Sequence, residues 1–484
     1  MNKELKRVSI VVLLMFLALF GSSTVIQVFT ADTLRADGRN SRTLYASYLA
    51  ERGPILVDGQ PIAESVPTDD EFKFQRTYTD GPLFAPATGY FTLNQGNTGI
   101  EGSLNDYLSG TSNSQFLDQV NALLTGQNPK GAAVELTLDR DIQQAAWDAL
   151  GDLQGAVIAI NPKTGAILAM VSKPTFDPNT LAGHDTDQVI AAYDQLLADP
   201  AGPLFNRTLA GNLNPPGSTF KLVVAAAALD SGQYTADSQF PNPPQLQLPQ
   251  SDSVIINSGG DDCGGAATVS ISDAIRLSCN IPFAELGQAI GTRAILAQAM
   301  KFGFNSSVSV PLESTPSVYP RALDEPQTML SAFGQSSVRA SPLQMAMVSM
   351  AIANGGTLMK PNLVESITAP NLTVLQSLEP SVYGQAMRGE TAAAITQMMV
   401  GSVSNGAASN ARIDGVDVAG KTGTAENGEG DPYTLWFTGF APANDPQVVV
   451  AVVVENGAGL GQSSYGNAIA APIAKKVLEA VLFR

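Results

Sequence analysis

Asn214-Pro215-Pro216-Gly217-Ser218-Thr219-Phe220-Lys221, followed by Leu222-Val223-Val224-Ala225-Ala226-Ala227-Ala228-Leu229, is the stretch on which the reading of this chain turns. Two prolines and a glycine in succession cannot continue a helix, so they form a turn. The eight residues after Lys221 are apolar all round, as in a helix buried on every side. The turn therefore delivers Ser218 to the first turn of a buried helix. There, unpaired backbone N–H groups and the helix dipole favour developing negative charge. Lys221, one turn on, shares the face of Ser218 and can reach its hydroxyl. No other serine in the chain sits three residues before a lysine.

Composition closes most other routes to an activated serine. There is one histidine, His184, and there are two cysteines, Cys263 and Cys279. That is too few for a structural zinc site, and neither a metal nor a cofactor is expected. A Ser-His-Asp triad would rest on His184 alone, and no Gly-x-Ser-x-Gly elbow exists; His184 reads as a surface or structural residue. The formal net charge is 27 − 44 = −17, the wrong sign for a nucleic-acid partner. With 44% hydrophobic residues over 484 positions, the chain has material for more than one folded unit.

Ser-x-x-Lys alone is a pattern that chance supplies, but two more motifs follow it in order: Ser278-Cys279-Asn280 and Lys421-Thr422-Gly423-Thr424. This order resembles the penicillin-binding protein and serine β-lactamase superfamily. A second Lys-Thr-Gly, at 163–165, and a second Ser-x-Asn, at 103–105, both precede the serine and break the order. Residues 415–422 formally match a nucleotide P-loop, yet their middle reads as a strand and no helix-forming run follows.

The resemblance continues outside the motifs. Residues 157–170 read as a hairpin around Asn161-Pro162-Lys163-Thr164-Gly165, similar to the first hairpin of the family's transpeptidase domain. Phe333-Gly334-Gln335, Ser341-Pro342-Leu343-Gln344-Met345-Ala346, Asn354-Gly355-Gly356 and Trp436-Phe437-Thr438-Gly439-Phe440-Ala441-Pro442 resemble further family signatures. Arg52-Gly53-Pro54-Ile55 with Asp58-Gly59 resembles the first box of class B penicillin-binding proteins, without the arginine usual after the aspartate.

A class B penicillin-binding protein implies a mixed α/β fold, of the α+β kind. An antiparallel sheet is flanked by helices with an all-helical subregion, and a small N-terminal pedestal module and one membrane anchor complete it. The implied reaction is D,D-transpeptidation of peptidoglycan stem peptides ending in D-Ala-D-Ala, through an acyl-enzyme on Ser218 that β-lactams would also form. Lys221 would serve as base, its pKa depressed by burial and by the cation of Lys421. Ser278 would shuttle a proton, and Asn280 would hold Lys221 and the substrate amide. Lys421, Thr422, Gly423 and Thr424 would bind the substrate along a strand edge, and the N–H groups of Ser218 and Thr424 would form the oxyanion hole.

Lys3, Lys6 and Arg7 precede residues 8–30, which carry no charge and can span a bilayer. The cationic side is expected in the cytoplasm, giving a tail at 1–7, an anchor at 8–30 and an extracytoplasmic remainder. A cleaved signal peptide is the alternative. Residues 31–130 are expected to form the pedestal or dimerisation-like module, and 131–484 the transpeptidase domain, opening with a strand end at Leu136 and a helix after Asp139. Residues 241–249 and 401–409 read as loops, residues 448–454 as a central strand and 470–482 as a closing helix.

A membrane-embedded lipid-II polymerase is the expected partner. A D,D-carboxypeptidase and a non-catalytic β-lactam sensor remain as alternatives. A class A β-lactamase is disfavoured, since no glutamate between Asn280 and Lys421 has an asparagine four residues on. Both cysteines fall in the exported part, where disulfides persist, and Cys263 lies in a glycine-rich stretch able to reach the second motif. They are expected to be bonded.

Overall fold

A computed structural model describes residues 2–30, 50–115, 130–211, 213–257, 260 and 262–484. Of the stretch expected as an N-terminal module, 31–49 and 116–129 lie outside the described residues, as do Gly259 and Asp261 of the glycine-rich stretch. The architecture is the mixed α/β one expected, two main sheets with helices packed on them.

The valine run forms β11 (Val448–Val454), every residue of it buried, and it lies at the centre of a five-stranded sheet. Alongside are β5 (Gly155–Ile160), β6 (Ile167–Lys173), β9 (Ala419–Ala425) and β10 (Thr434–Ala441), in the order β9-β10-β11-β5-β6 and antiparallel throughout. A strand buried on both faces needs no polar alternation, which is why this one reads as an unbroken apolar run. Helices Arg140–Leu150 and Gly466–Leu482 pack on each other and on the sheet, and helix Pro342–Ala353 packs on β10, β11 and β5. The third motif thus lands on β9, an edge strand whose outer side has no sheet partner among the described residues.

The second sheet has six strands. β1 (Ile55–Val57), β2 (Gln60–Pro67), β3 (Phe74–Tyr78) and β4 (Ala133–Leu136) combine with β7 (Val364–Thr368) and β8 (Val374–Ser377) in the order β8-β7-β4-β1-β2-β3. β4 runs parallel to β1 and antiparallel to β7. This sheet therefore takes strands from both sides of residue 130. The helix after Asp139 begins at Arg140, with the Asp139 carboxylate accepting from the N–H groups of Asp141 and Ile142.

A helical group fills the space beside the first sheet. The buried helix Lys221–Asp230 packs on Ile281–Lys301 and Gly389–Asn405, and Ile271–Leu277 packs on Gly389–Asn405. Two of the expected loops differ. The small-residue stretch from 401 is helical through Asn405, because Ser402 and Val403 are buried and that burial overrides weak helix propensity. The Pro/Gln-rich segment pairs as short strands, Gln239–Pro241 with Thr268–Ser270 and Gln245–Gln247 with Val254–Ile256. At the N-terminus, Lys3–Gln27 forms a helix containing an 18-residue window of mean hydropathy 2.4, long and apolar enough to cross a membrane as a single-pass anchor.

Candidate active site

Ser218 sits in a single 3-10 turn, Gly217–Phe220, that runs straight into helix Lys221–Asp230. Three hydrogen bonds fix the turn. Trp436 Nε1 donates to the Pro215 carbonyl at 2.9 Å, Thr219 Oγ1 to the Pro216 carbonyl at 2.7 Å, and Gly217 N–H to the Gly334 carbonyl at 3.1 Å. The turn also lies hard against β9. A Cβ on Gly217, whose φ is +53°, would stand 3.0 Å from the Thr424 carbonyl oxygen, and one on Gly423 would stand 2.7 Å from that of Pro216. Glycine at both positions is what lets the serine turn and the third-motif strand approach.

Lys221 and Lys421 are both fully buried. Lys221 Nζ donates to the Ser278 carbonyl at 2.7 Å and to Asn280 Oδ1 at 2.9 Å. Lys421 Nζ donates to the Ser278 hydroxyl at 2.7 Å and to the Thr422 carbonyl at 3.0 Å. Ser278 thus serves both lysines through different atoms. It does so from the left-handed region, φ +65°, at the C-terminus of helix Ile271–Leu277, a strained conformation of the kind that collects at functional sites.

Burial, and then the repulsion of Lys421, push the Lys221 pKa well below that of a free lysine. Burial brings that of Lys421 down to about 7. A neutral Lys221 has two protons, both used by Ser278 and Asn280, and a lone pair left over. Such an amine can accept a proton. Among the described residues, no hydrogen bond reaches the Ser218 hydroxyl. The Lys221 contact expected with Ser218 is thus replaced here by contacts with the second motif.

Asn280 is aligned from behind. Its Nδ2 donates to the Ile256 carbonyl at 3.0 Å, which turns its Oδ1 toward Lys221. Cys279, the residue between, is buried and bonded to Cys263, with S–S 2.03 Å. On β9, the Thr422 hydroxyl donates to the Ala407 carbonyl at 2.9 Å, and Thr424 Oγ1 accepts from Gly466 N–H at 3.1 Å. The Thr424 hydroxyl keeps its own proton to donate, whereas that of Thr422 is already committed.

The look-alike patterns are elsewhere. Lys163 lies in the turn between β5 and β6, paired with Asp445 at 2.7 Å, and residues 103–105 belong to the N-terminal module. The P-loop-like stretch runs into β9, a strand where a phosphate cradle needs a helix. His184 pairs with Asp70 and packs on Phe72, their ring centroids 4.7 Å apart. Among the described residues, no group of three or more His, Cys, Asp or Glu is placed to hold a metal ion. A groove of about 650 Å³ bordered by Val310, Lys360, Asn362, Gln376 and Glu379 contains none of the motif residues.

Sequence reasoning missed Asn257, whose Oδ1 accepts from the N–H groups of Asn280 and Ile281, and Phe283, whose ring centroid lies 5.7 Å from Lys221 Nζ. No motif marks either, and only the fold brings them to the second motif.

A half-buried serine on a buried turn, two buried lysines and a shared Ser-x-Asn corner on this two-sheet framework define a penicillin-binding transpeptidase. The description "Penicillin binding protein transpeptidase domain" matches residues 155–479, and "Penicillin binding protein A dimerisation domain" matches 52–134; the chain belongs to this family. Among its relatives, the peptidoglycan D,D-transpeptidase PbpA of Mycolicibacterium smegmatis is 40% identical over 491 residues, spanning 100% of this chain and 99% of that protein. The ceftriaxone acyl-enzyme of penicillin-binding protein A from M. tuberculosis superposes with a TM-score of 0.87 at 38% identity, covering 90% of this chain and 100% of that one. The penicillin G acyl-enzyme of the same protein gives 0.84, also at 38% identity, with the same coverage.

Proposed function

We propose that this chain is a peptidoglycan D,D-transpeptidase that works through an acyl-enzyme on Ser218 and is inhibited covalently by β-lactams. The observation that carries the reading is the triple junction at Ser278, where Lys221 and Lys421, both buried, meet one residue beside the serine turn. Relatives named peptidoglycan D,D-transpeptidase and the β-lactam acyl-enzymes of a similar protein support it.

In this mechanism neutral Lys221 takes the Ser218 proton as Oγ attacks the carbonyl carbon of the penultimate D-Ala. The oxyanion faces the N–H groups of Ser218 and Thr424, each donor of this kind being worth roughly 3 kcal/mol. The C–N bond then breaks, and the leaving amine of terminal D-Ala takes a proton by way of Ser278. An amine of a neighbouring stem attacks the acyl carbon, closes the cross-link and restores Ser218. Lys421 and the Thr424 hydroxyl receive the terminal carboxylate, with Thr422 released from Ala407 to join them, while Gly423 lets the substrate backbone come close. Asn280 holds Lys221 and the substrate amide.

The anchor helix supports a single-pass enzyme with the tail at 1–7 cytoplasmic, the span at 8–30 and the rest extracytoplasmic. In that arrangement 31–130 is the pedestal, 131–484 the catalytic part, and a membrane-embedded lipid-II polymerase the partner beside the span. The test is intact-mass measurement after incubation with penicillin, on the wild-type protein and Ser218→Ala. One adduct per chain is expected, lost in the variant; an undiminished adduct in Ser218→Ala removes the assignment. Incubation with a donor stem peptide and a free amine acceptor then separates the reactions, because a carboxypeptidase releases D-Ala without forming the cross-linked product, and a sensor turns over neither.

A further inference from the structure

Two asparagines outside the motifs, Asn242 and Asn257, are each 1% exposed. Asn257 Oδ1 accepts two backbone N–H groups, Asn280 at 2.9 Å and Ile281 at 3.1 Å. Helix Ile281–Lys301 begins there with no cap from its own N-cap side chain, so Asn257 caps it from a separate segment. The preceding residue, Ile256, offers the carbonyl that holds Asn280 Nδ2. One dipeptide, Ile256-Asn257, thus grips both the backbone and the side chain of Asn280.

Asn257 is held in turn. Its Nδ2 donates to Asn242 Oδ1 at 3.2 Å, and Asn242 Nδ2 donates to the carbonyls of Cys263 at 2.9 Å and Ala266 at 2.8 Å. Cys263 N–H returns a bond to Asn242 Oδ1 at 3.3 Å. Cys263 is bonded through sulfur to Cys279, next to Asn280. The result is a closed ring, Asn280–Asn257–Asn242–Cys263–Cys279, that fixes the corner from which Lys221 is held. A buried polar network earns its place only when its members are satisfied together, and these groups are mutually engaged.

We propose that Asn257 is a positioning residue for Asn280, and through it for the proton held at Lys221, with Asn242 keeping Asn257 in place. The proposal rests on Ser218 acyl transfer being the activity. Asn257 touches neither substrate nor the reacting atoms. It acts by keeping Asn280 Oδ1 aimed at Lys221 Nζ, where that oxygen stabilises the ammonium over the amine. Among the described residues, the charged group acting on Lys221 is Lys421, so one acceptor oxygen more or less is felt directly.

The experiment is the time course of acylation by fluorescent penicillin against pH, on the full chain in detergent with the disulfide intact. Asn257→Ala is expected to acylate about 10- to 100-fold more slowly, the effect of misplacing a catalytic group by about 1 Å. It should keep one label per chain at completion, and its acid limb should move to lower pH. Asn257→Asp keeps an acceptor for both N–H groups but brings a negative charge, so its acid limb should move to higher pH. Opposite movements in the two variants support the role. Wild-type rates and limbs in both variants, or equal slowing in both with neither limb moved, overturn it while leaving the transpeptidase reading standing. If Asn257→Ala does not fold, a folded Asn257→Asp with an unmoved limb overturns it alone. A wild-type protein that takes no label overturns the transpeptidase reading and this proposal with it.

Discussion

Lys421 Nζ lies 2.7 Å from the Ser278 hydroxyl, across 143 residues of chain, and that contact joins the edge of one sheet to the end of one helix. The Ser278 carbonyl meanwhile holds Lys221 at 2.7 Å. A right-handed backbone at Ser278 would carry the helix onward and break this division between carbonyl and hydroxyl. The left-handed turn keeps the two lysines on one residue, and so within range of each other's charge.

That proximity sets the pH behaviour. In the proposed mechanism acylation needs neutral Lys221, so its rate should fall as pH drops through the pKa of that lysine. Lys421→Met removes the second cation and lets the Lys221 pKa rise, so the acid limb of acylation should move to higher pH. The maximal rate should also drop, by on the order of 10- to 100-fold, from loss of the Ser278 contact and of the carboxylate's partner. Fluorescent-penicillin labelling across a pH series reads both effects; an unmoved limb would separate the two lysines electrostatically.

The same substitution should stabilise the protein. A lysine whose folded pKa is about 7, against the usual 10.5, lacks in the native state a proton that the unfolded chain holds. In that window stability rises with pH, and the penalty is largest below it. Lys421→Met removes the penalty and is expected to raise stability near neutral pH by on the order of a few kcal/mol. It should also flatten the climb in stability between about pH 7 and 10.5. Urea unfolding at several pH values, read by fluorescence, checks both.

The N-terminal module carries a charge cluster with no outlet to water. Glu101 receives Arg52 Nε and Arg76 Nε, each at 2.6 Å, and the guanidinium of Arg52 lies 4.3 Å from the centre of the Phe91 ring. Burial works against the charged carboxylate, yet the two guanidiniums together hold its pKa below the usual value. Glu101→Gln leaves two buried cations without their counter-charge and should cost about 3–5 kcal/mol. The loss should appear in thermal melting, while penicillin acylation per folded molecule stays at the wild-type rate.

Cys263 and Cys279 are 16 residues apart, and a loop of that size gives a disulfide about 3 kcal/mol of stabilisation in chain-entropy terms. Thiol titration of unreduced, denatured protein should find no free thiol. Reduction should lower the melting temperature and slow acylation, since it opens the ring that holds Asn280. Two free thiols per chain would contradict the bond.

Much of this was legible in one dimension. The Pro-Pro-Gly turn before an all-apolar run fixed a buried helix behind Ser218, because neither feature has another stable use. The valine run at 448–454 announced a strand covered on both faces, and the charge-free stretch after Arg7 announced a membrane-length helix. Order separated the Lys-Thr-Gly at 421–423, which the fold sets against Ser278 and the Ser218 turn, from its copy at 163–165. Residues 401–405, by contrast, looked like loop because small polar residues have weak helix propensity, and only packing against neighbours made them helical.

The sequence by itself determined which residue types exist to do the chemistry: one serine spaced to a lysine, a single histidine on which any triad would have to rest, and two cysteines free to pair. Tertiary structure alone decided how they meet. It routed Lys221 to Asn280 and the Ser278 carbonyl, sent Lys421 to the Ser278 hydroxyl, and brought Asn257 under the second motif. Local propensity acts over a turn or two of chain, and cannot report contacts made between segments dozens or hundreds of residues apart. Those contacts exist because burying the sheet and helices excludes water and forces each trapped polar group to find a partner.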